Sequence, residues 1–213
     1  DKIIATRGLP GKVVFWNGEG RYDWASSSDC EAMLKNTIYW FIASVHDVAV
    51  TKITPSKSLV GQGFNINIEV EIRNQGETAE AFDTTLYVDP GHRIIQMKTV
   101  TLPSDAYTTL TFTWNTTAFA KGNYNITVYA EPVSGEIHTA DNTCVDGSVL
   151  ITIPGDVDGN FRVDMGDIVS VCDCFGSMVG QLKYDANCDI DGNSRVDMDD
   201  IIITCDHFGE HQL

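Results

Sequence analysis

Residues 64–73 read FNINIEVEIR, a stretch in which every second side chain is apolar. This alternation is typical of a half-buried antiparallel strand, because successive side chains of a strand point to opposite faces of the sheet. Turn-forming residues separate the stretch from six further runs of the same period, at 48–53, 79–88, 93–102, 108–114, 124–131 and 148–153. Seven short strands within about 105 residues predict an immunoglobulin-like sandwich over residues 46–153.

Four short motifs in this region resemble those of the CARDB family, whose sandwiches occur in repeats on secreted and surface proteins of bacteria and archaea. They are Asp47-Val48-Ala49-Val50, Asn74-Gln75-Gly76, Gly122-Asn123-Tyr124-Asn125 and Asp141-Asn142-Thr143. The resemblance implies a role in spacing, adhesion or assembly, and it brings no catalytic residues. On physical grounds alone, a tyrosine that opens a strand, such as Tyr124, is expected to bond back to the corner before it.

Residues 1–45 predict a short β-β-α segment, with strands at 2–6 and 12–17 followed by a helix. Ser28 and Glu31 have the spacing of a capping box, and apolar residues then recur on one helix face up to Val45. If no upstream part is present, the second domain or another subunit must cover that face. The segment resembles the end of a larger α/β domain, and we expect that a signal peptide or a larger region preceded Asp1.

Residues 156–177 recur as residues 189–210, with 14 identities among 22 positions at an offset of 33. Each copy opens with an acidic loop, here named loop 1 (residues 156–167) and loop 2 (residues 189–200). Oxygen-bearing side chains stand at loop positions 1, 3, 5, 9 and 12, and position 7 offers a carbonyl, which is the ligand spacing of a calcium loop. The predicted ligands are Asp156, Asp158, Asn160, Arg162, Asp164 and Asp167 in loop 1, and Asp189, Asp191, Asn193, Arg195, Asp197 and Asp200 in loop 2.

We therefore expect this region to bind two calcium ions (Ca²⁺). The carboxylates of a metal-free loop would repel one another, so binding and folding should be linked and the metal-free module largely unfolded. One departure from the pattern concerns position 6, where EF-hands favour glycine for its positive φ. Phe161 and Ser194 stand there, and each could cost about 1 kcal/mol.

Helices are predicted after the loops, at 168–175 and 201–208, and none is predicted before them. This order resembles type I dockerins, and the resemblance covers residues 155–209. It implies that aspartate is normal at loop position 12 and that the helices bind a cohesin domain. The family's contact positions hold Met165, Gly166, Cys172, Asp173 and Ser177 in the first copy, and Met198, Asp199, Cys205, Asp206 and Glu210 in the second.

The predicted fold class is therefore mainly β with α. An Ig-like sandwich at 46–153 is followed by a small α-helical dockerin at 154–213 and preceded by the β-β-α segment at 1–45.

Six cysteines and two N-glycosylation acceptors, Asn115 and Asn125, predict an extracellular or cell-surface location. Cys172 and Cys205 are equivalent in the two copies, so an antiparallel helix pair would bring them near its axis. We predict a disulfide between them, which leaves Cys174 to pair with Cys188. The remaining two, Cys30 and Cys144, either join the helix to the sandwich or pair between chains.

The formal charge is −16, and residues 154–213 hold thirteen acidic side chains against three basic ones. This balance argues against nucleic acid and anionic membrane surfaces, which are bound through lysine and arginine. The longest apolar run, 37–45, is about half the length of a membrane span. Membrane insertion is therefore not expected.

The sequence carries no motif of a serine hydrolase, a zinc protease or a phosphate-binding loop. We predict a non-catalytic assembly or adhesion protein whose partner is a cohesin-like domain or a neighbouring copy of the chain. One alternative is a self-assembling subunit of an extracellular filament or sheath, with the dockerin as an internal structural part. The other is the C-terminal part of a hydrolase whose catalytic domain lies upstream.

Overall fold

The structure is a computed structural model, and it describes residues 46–212. The predictions for residues 1–45, which include two strands, a helix and a place for Cys30, lie outside the described residues.

Eight strands form two sheets that pack face to face. The smaller sheet has the order β1-β3-β6 and the larger one the order β2-β8-β7-β4-β5. Strand β2 runs parallel to β8, and every other pair is antiparallel. The strands are β1 Val48–Pro55, β2 Leu59–Gly61, β3 Asn65–Asn74, β4 Glu80–Asp89, β5 Arg93–Leu102, β6 Tyr107–Asn115, β7 Gly122–Ala130 and β8 Thr143–Thr152. The mainly β class and the sandwich are thereby confirmed.

The main core lies between the two sheets, and β3 shows how the sequence builds it. Ile66, Ile68, Val70 and Ile72 are buried, while the alternating side chains are exposed or half-buried. The facing strands contribute large side chains to the same core, among them Leu86, Phe112, Trp114, Ile126 and Ile151. The period of two therefore determines which face of each strand is inside.

All seven predicted strands are present, and two features of the sandwich were not predicted. The three-residue strand β2 shows no alternation, and it exists because it pairs with β8 far along the chain. Strand β8 begins five residues before the predicted run, since its polar first half is held by pairing with β7. The hydroxyl of Tyr124 donates to the carbonyl of Ala120 at 3.0 Å, which confirms the predicted tyrosine corner.

After β8 the chain forms a small second layer, here named the C-terminal module (residues 154–212). It contains α1 Met165–Cys174 and α2 Met198–Asp206. Both helices begin three residues earlier than predicted, because Asp164 and Asp197 cap them in complete capping boxes. No helix among residues 46–212 has the length and apolar character needed to cross a membrane.

Each copy of the repeat pairs with the segment that follows the other copy. Arg162 in loop 1 bridges to His211 after α2, and Arg195 in loop 2 bridges to Met178 after α1. A small core lies between the copies and is formed by Val157, Val171, Cys188, Ile190 and Val196. Phe64 of the sandwich packs against both this core and the main one, so the module lies directly on the sandwich.

The predicted disulfide bonds are not formed among residues 46–212. Cys144, Cys172, Cys174, Cys188 and Cys205 are all free thiols. The prediction for Cys172 and Cys205 was wrong because equivalent positions of the two helices share the same exposure, and both side chains face solvent. Cys174 and Cys188 are neighbours: burial raises the pKa of the Cys188 thiol, and a hydrogen bond with Cys174 raises it further.

Candidate metal centre

Each acidic loop gathers three carboxylates around one point. One oxygen from each member lies within 4.8 Å of the oxygens of the other two. Three negative charges at this separation favour a proton or a cation among them. The two groups are Asp156, Asp158 and Asp167 in loop 1, and Asp189, Asp191 and Asp200 in loop 2.

The first carboxylate of loop 1, Asp156, is fixed by the backbone that follows it. The N–H groups of Gly159, Asn160 and Phe161 donate to its two oxygens at 2.8, 3.2 and 2.8 Å. The hydroxyl of Thr152, at the end of β8, also donates to it. The sandwich strand therefore leads directly into the first candidate ligand.

Loop 2 repeats this arrangement with a different hydroxyl donor. Asp189 accepts from the N–H groups of Asn193 at 3.0 Å and Ser194 at 2.9 Å. The phenol of Tyr184 donates to its second oxygen at 2.7 Å. The duplication therefore reproduces the loop backbone, while each copy has its own support for the first carboxylate.

The last carboxylate of each loop ties the two ends of the loop together. Asp167 accepts from the N–H of Val157 at 2.9 Å and from that of Asp164 at 2.8 Å. Asp200 accepts at 2.7 and 2.8 Å from the equivalent residues of loop 2. Because both carboxylates lie in the first turn of a helix, the helix N-terminus also stabilises their negative charge.

The backbone at loop position 6 takes the left-handed conformation that the spacing predicted. Phe161 has φ 63° and Ser194 has φ 72°, and the glycines at position 4 are also left-handed. A residue with a Cβ is strained there, by about 1–2 kcal/mol. The loops therefore keep a shape that their own sequence does not favour.

The remaining predicted ligands differ in their relation to the two groups. The amides of Asn160 and Asn193 donate to the position-3 carboxylates at 2.9 and 3.0 Å, so both lie beside the acidic groups. Asp164 and Asp197 cap α1 and α2 and do not belong to either group of three. The carbonyl oxygens of the two position-7 arginines stay predicted ligands.

The electrostatics of the loops favour a bound cation. Burial raises the pKa of Asp156, Asp191 and Asp200, and a neighbouring aspartate raises each further. Backbone N–H donors oppose this effect and favour the charged form. An oxygen-only, carboxylate-rich set of ligands fits a hard divalent cation and does not suit a soft one.

Sequence reasoning missed three residues that hold the loops. Thr152 and Tyr184 bond the first carboxylates, and Lys57 binds the backbone of loop 2. The two hydroxyls are adjacent to their loops, but a lone threonine or tyrosine outside the repeat gives no signal. Lys57 precedes loop 2 by more than a hundred residues, so only the fold brings it there.

Comparison with known proteins supports the assignment of the sandwich. Residues 45–144 match the sequence model of the CARDB family. A search of curated proteins found no match.

Among solved structures, the CARDB domain of a Pyrococcus furiosus protein in complex with di-metal ions is 22% identical, with a TM-score of 0.44 over 51% of this chain and 96% of that one. A domain of a provisionally named cell-surface protein of Methanosarcina acetivorans is 23% identical, with a TM-score of 0.40 over 50% of this chain and 92% of that one. A β-glucosidase of Erythrobacter marinus is 15% identical, with a TM-score of 0.41 over 50% of this chain and 15% of that one. On the family match and the sandwich described above, residues 45–144 form a CARDB domain.

Proposed function

We propose that this chain is a non-catalytic, extracellular assembly protein in which a CARDB sandwich carries a dockerin-type module folded around two calcium ions. The observation that carries the proposal is the repeated constellation of loops 1 and 2. Both gather three carboxylates, both bind the first one with consecutive backbone N–H groups, and both place the last one in the first turn of a helix. Two copies that keep the same carboxylates and the same backbone donors are best explained by the same ligand.

Calcium fits these loops better than magnesium. Calcium takes six to eight oxygens at flexible geometry, whereas magnesium needs a near-ideal octahedron and usually keeps several waters. Each loop offers carboxylates at positions 1, 3 and 12, an amide oxygen at position 5 and a backbone carbonyl at position 7. This donor set is large enough for the larger ion.

The helices of the module present an apolar face that suits a protein partner. Three equivalent pairs of large apolar side chains are exposed on or next to the helices, namely Met165 and Met198, Val169 and Ile202, and Phe175 and Phe208. An exposed apolar face with a polar surround is typical of an interaction site. The partner proposed for this face is a cohesin-like domain or a neighbouring copy of the chain.

The contact positions expected from the dockerin resemblance are exposed, with one exception. Ser177 is buried, and its hydroxyl donates to the carbonyl of Cys174 at 2.5 Å. It closes the turn after α1 and is not accessible to a partner. Recognition in this chain can therefore use the apolar pairs together with the other exposed contact positions, among them Cys172 and Cys205.

The alternative function is that of a subunit of an extracellular filament or sheath. In that case a different surface would contact the neighbouring copies. The edge strand β5 exposes Ile94 and Met97, and an open strand edge is a template for pairing with another chain. In that case the calcium module would be an internal structural part. Surface location suits both proposals, since the side chains of Asn115 and Asn125 are exposed and accessible to glycosylation.

One experiment tests calcium binding and separates the two proposals. Isothermal titration of the metal-free chain with calcium should give two sites, and circular dichroism should show helix lost in chelator and restored by calcium but not by the same concentration of magnesium. Absence of calcium binding would overturn the proposed function. Light scattering at several concentrations then distinguishes a calcium-folded monomer from polymers that survive dilution, and the latter would replace docking by self-assembly.

The docking face is tested with paired variants. Val169→Asp with Ile202→Asp should abolish binding to a panel of cohesin domains while calcium binding is kept. Val179→Asp with Leu182→Asp places the same two charges on exposed residues outside the helices and should leave binding unchanged. Equal loss in both variants would contradict the assignment of the face.

A further inference from the structure

A buried lysine of the sandwich reaches into the module. Lys57 lies in the short connection between β1 and β2, and only 8% of its surface is exposed. Its ammonium group donates to the backbone carbonyls of Asp189 at 2.8 Å and Ile190 at 3.2 Å. These two residues are the first and second of loop 2.

A lysine is rarely buried without partners, because removing an ammonium group from water costs several kcal/mol. Here the two carbonyls supply hydrogen bonds, and the carboxylates of loop 2 supply a favourable field. Lys57 does not bind the position-1 carboxylate, since it donates to the backbone carbonyl of Asp189 and not to its side chain. The lysine thus fixes the loop without occupying the place of a ligand.

Loop 1 is held differently. It follows β8 directly, and the hydroxyl of Thr152 secures its first carboxylate. Loop 2 follows a linker of the module, and its entry is held to the sandwich by Lys57, with a weak contact between Ser58 and Asn187 nearby. Within residues 46–212, no hydrogen bond from a lysine to the first two residues of loop 1 is found.

We propose that Lys57 is a positioning residue of the CARDB domain that completes the second calcium loop. By holding the carbonyls at positions 1 and 2, it sets the direction in which the Asp189 side chain enters the site, and it fastens the loop to the sandwich. The inference rests on the proposed function, because it concerns calcium binding at loop 2. It makes the two sites unequal, in that Lys57 supports site 2 and not site 1.

Two opposing effects set the result of removing Lys57. Loss of its charge takes repulsion away from the incoming ion and favours binding. Loss of its hydrogen bonds leaves two buried carbonyls unpaired and frees the entry of the loop, which disfavours binding. The carbonyls are buried and the contacts short, so the loss of positioning is the larger effect and calcium binding at site 2 weakens.

The experiment measures each site alone in the full chain. Asp167→Asn removes site 1 and Asp200→Asn removes site 2, so that titration with calcium reports the remaining site. Lys57→Met should weaken site 2 by about 10–100-fold, the usual effect of losing a residue that orients a ligand. The same substitution should leave site 1 unchanged.

Matched variants separate positioning from general damage. Lys52→Met removes an exposed lysine of β1 and should change neither site. Lys57→Arg keeps the positive donor and should recover part of the site 2 affinity. Should Lys57→Met fail to fold in calcium, Lys57→Gln replaces it, since the amide keeps one donor and the same selective loss is expected.

Three results would overturn the inference: unchanged affinity at site 2, tighter binding there, or equal weakening at both sites. Each leaves the proposed function standing, because the unmodified chain still binds two ions. Failure of the unmodified chain to bind calcium is a separate result, and it contradicts the proposed function itself.

Discussion

Loops 1 and 2 have almost the same sequence, and their surroundings differ. Both turn through a left-handed residue at position 6, both orient the first carboxylate with backbone N–H groups, and both close on an aspartate at the start of a helix. Loop 1 continues a sandwich strand, whereas loop 2 is secured by Tyr184 and Lys57. The shared loop sequence therefore repeats the ligand positions and the hydrogen-bond pattern, and the rest of the fold decides how each loop is held in place.

The largest expected effect comes from removing the last carboxylate of one loop. Asp167→Asn or Asp200→Asn should reduce the calcium stoichiometry in titration calorimetry from two to one. Calcium affinity at the altered loop should fall by more than the roughly 10–100-fold that is lost when a residue that only orients a ligand is removed. The reason is that each carboxylate is buried, accepts at least two backbone N–H groups and faces the other two acids.

Asp173→Asn, on an exposed position of α1, is the control and should leave both sites intact. If either loop variant still binds two ions with unchanged affinity, the carboxylate at position 12 is not a ligand and the comparison of the loops loses its basis.

A moderate effect is expected in the small core between the copies. Val171 on α1 and Thr204 on α2 are equivalent and both fully buried. Val171→Ala should lower the free energy of unfolding of the calcium-loaded module by about 2 kcal/mol, through lost packing and a residual cavity. Chemical denaturation followed by circular dichroism measures the change, and Val179→Ala at an exposed site should have no effect.

Thr204 tests the same position in the other copy. Its hydroxyl donates to the carbonyl of Asp200 at 2.9 Å, within the helix itself. Thr204→Val keeps the shape and removes this bond, so the free energy of unfolding should fall by only about 1 kcal/mol. A larger loss than that of Val171→Ala would show that the hydroxyl, and not packing, is what the second copy needs there.

The smallest effect is expected at position 6. Ser194→Gly should stabilise the calcium-loaded module by about 1 kcal/mol or less, because glycine adopts φ 72° without the strain of a Cβ. Gly192→Ala is the opposite change at a left-handed position, where an added Cβ would lie 3.9 Å from the carbonyl oxygen of Asn65, and it should destabilise by a similar amount. Thermal unfolding measures both, and a fall in stability for Ser194→Gly would mean that the serine side chain has a role of its own.

The sequence predicted the regular parts of the fold well. Alternation in β3 identified the buried face of a strand, and the repeat of 33 residues placed both acidic loops and both helices. It failed where pairing is long-range: β2 is too short to show a period, and the first half of β8 is polar. It also failed for Cys172 and Cys205, since a repeat tells which residues are equivalent and not which way their side chains face.

By itself, the sequence determined the seven strands with an apolar face and the two loops whose acids alternate around one point. Both follow from local geometry, because the periods of strands and tight turns are properties of the backbone. Only the tertiary structure decided that the module lies on the sandwich, that Phe64 packs against both cores and that Lys57 meets loop 2. These contacts join residues far apart in the chain, and their free energy depends on burial that no local pattern reveals.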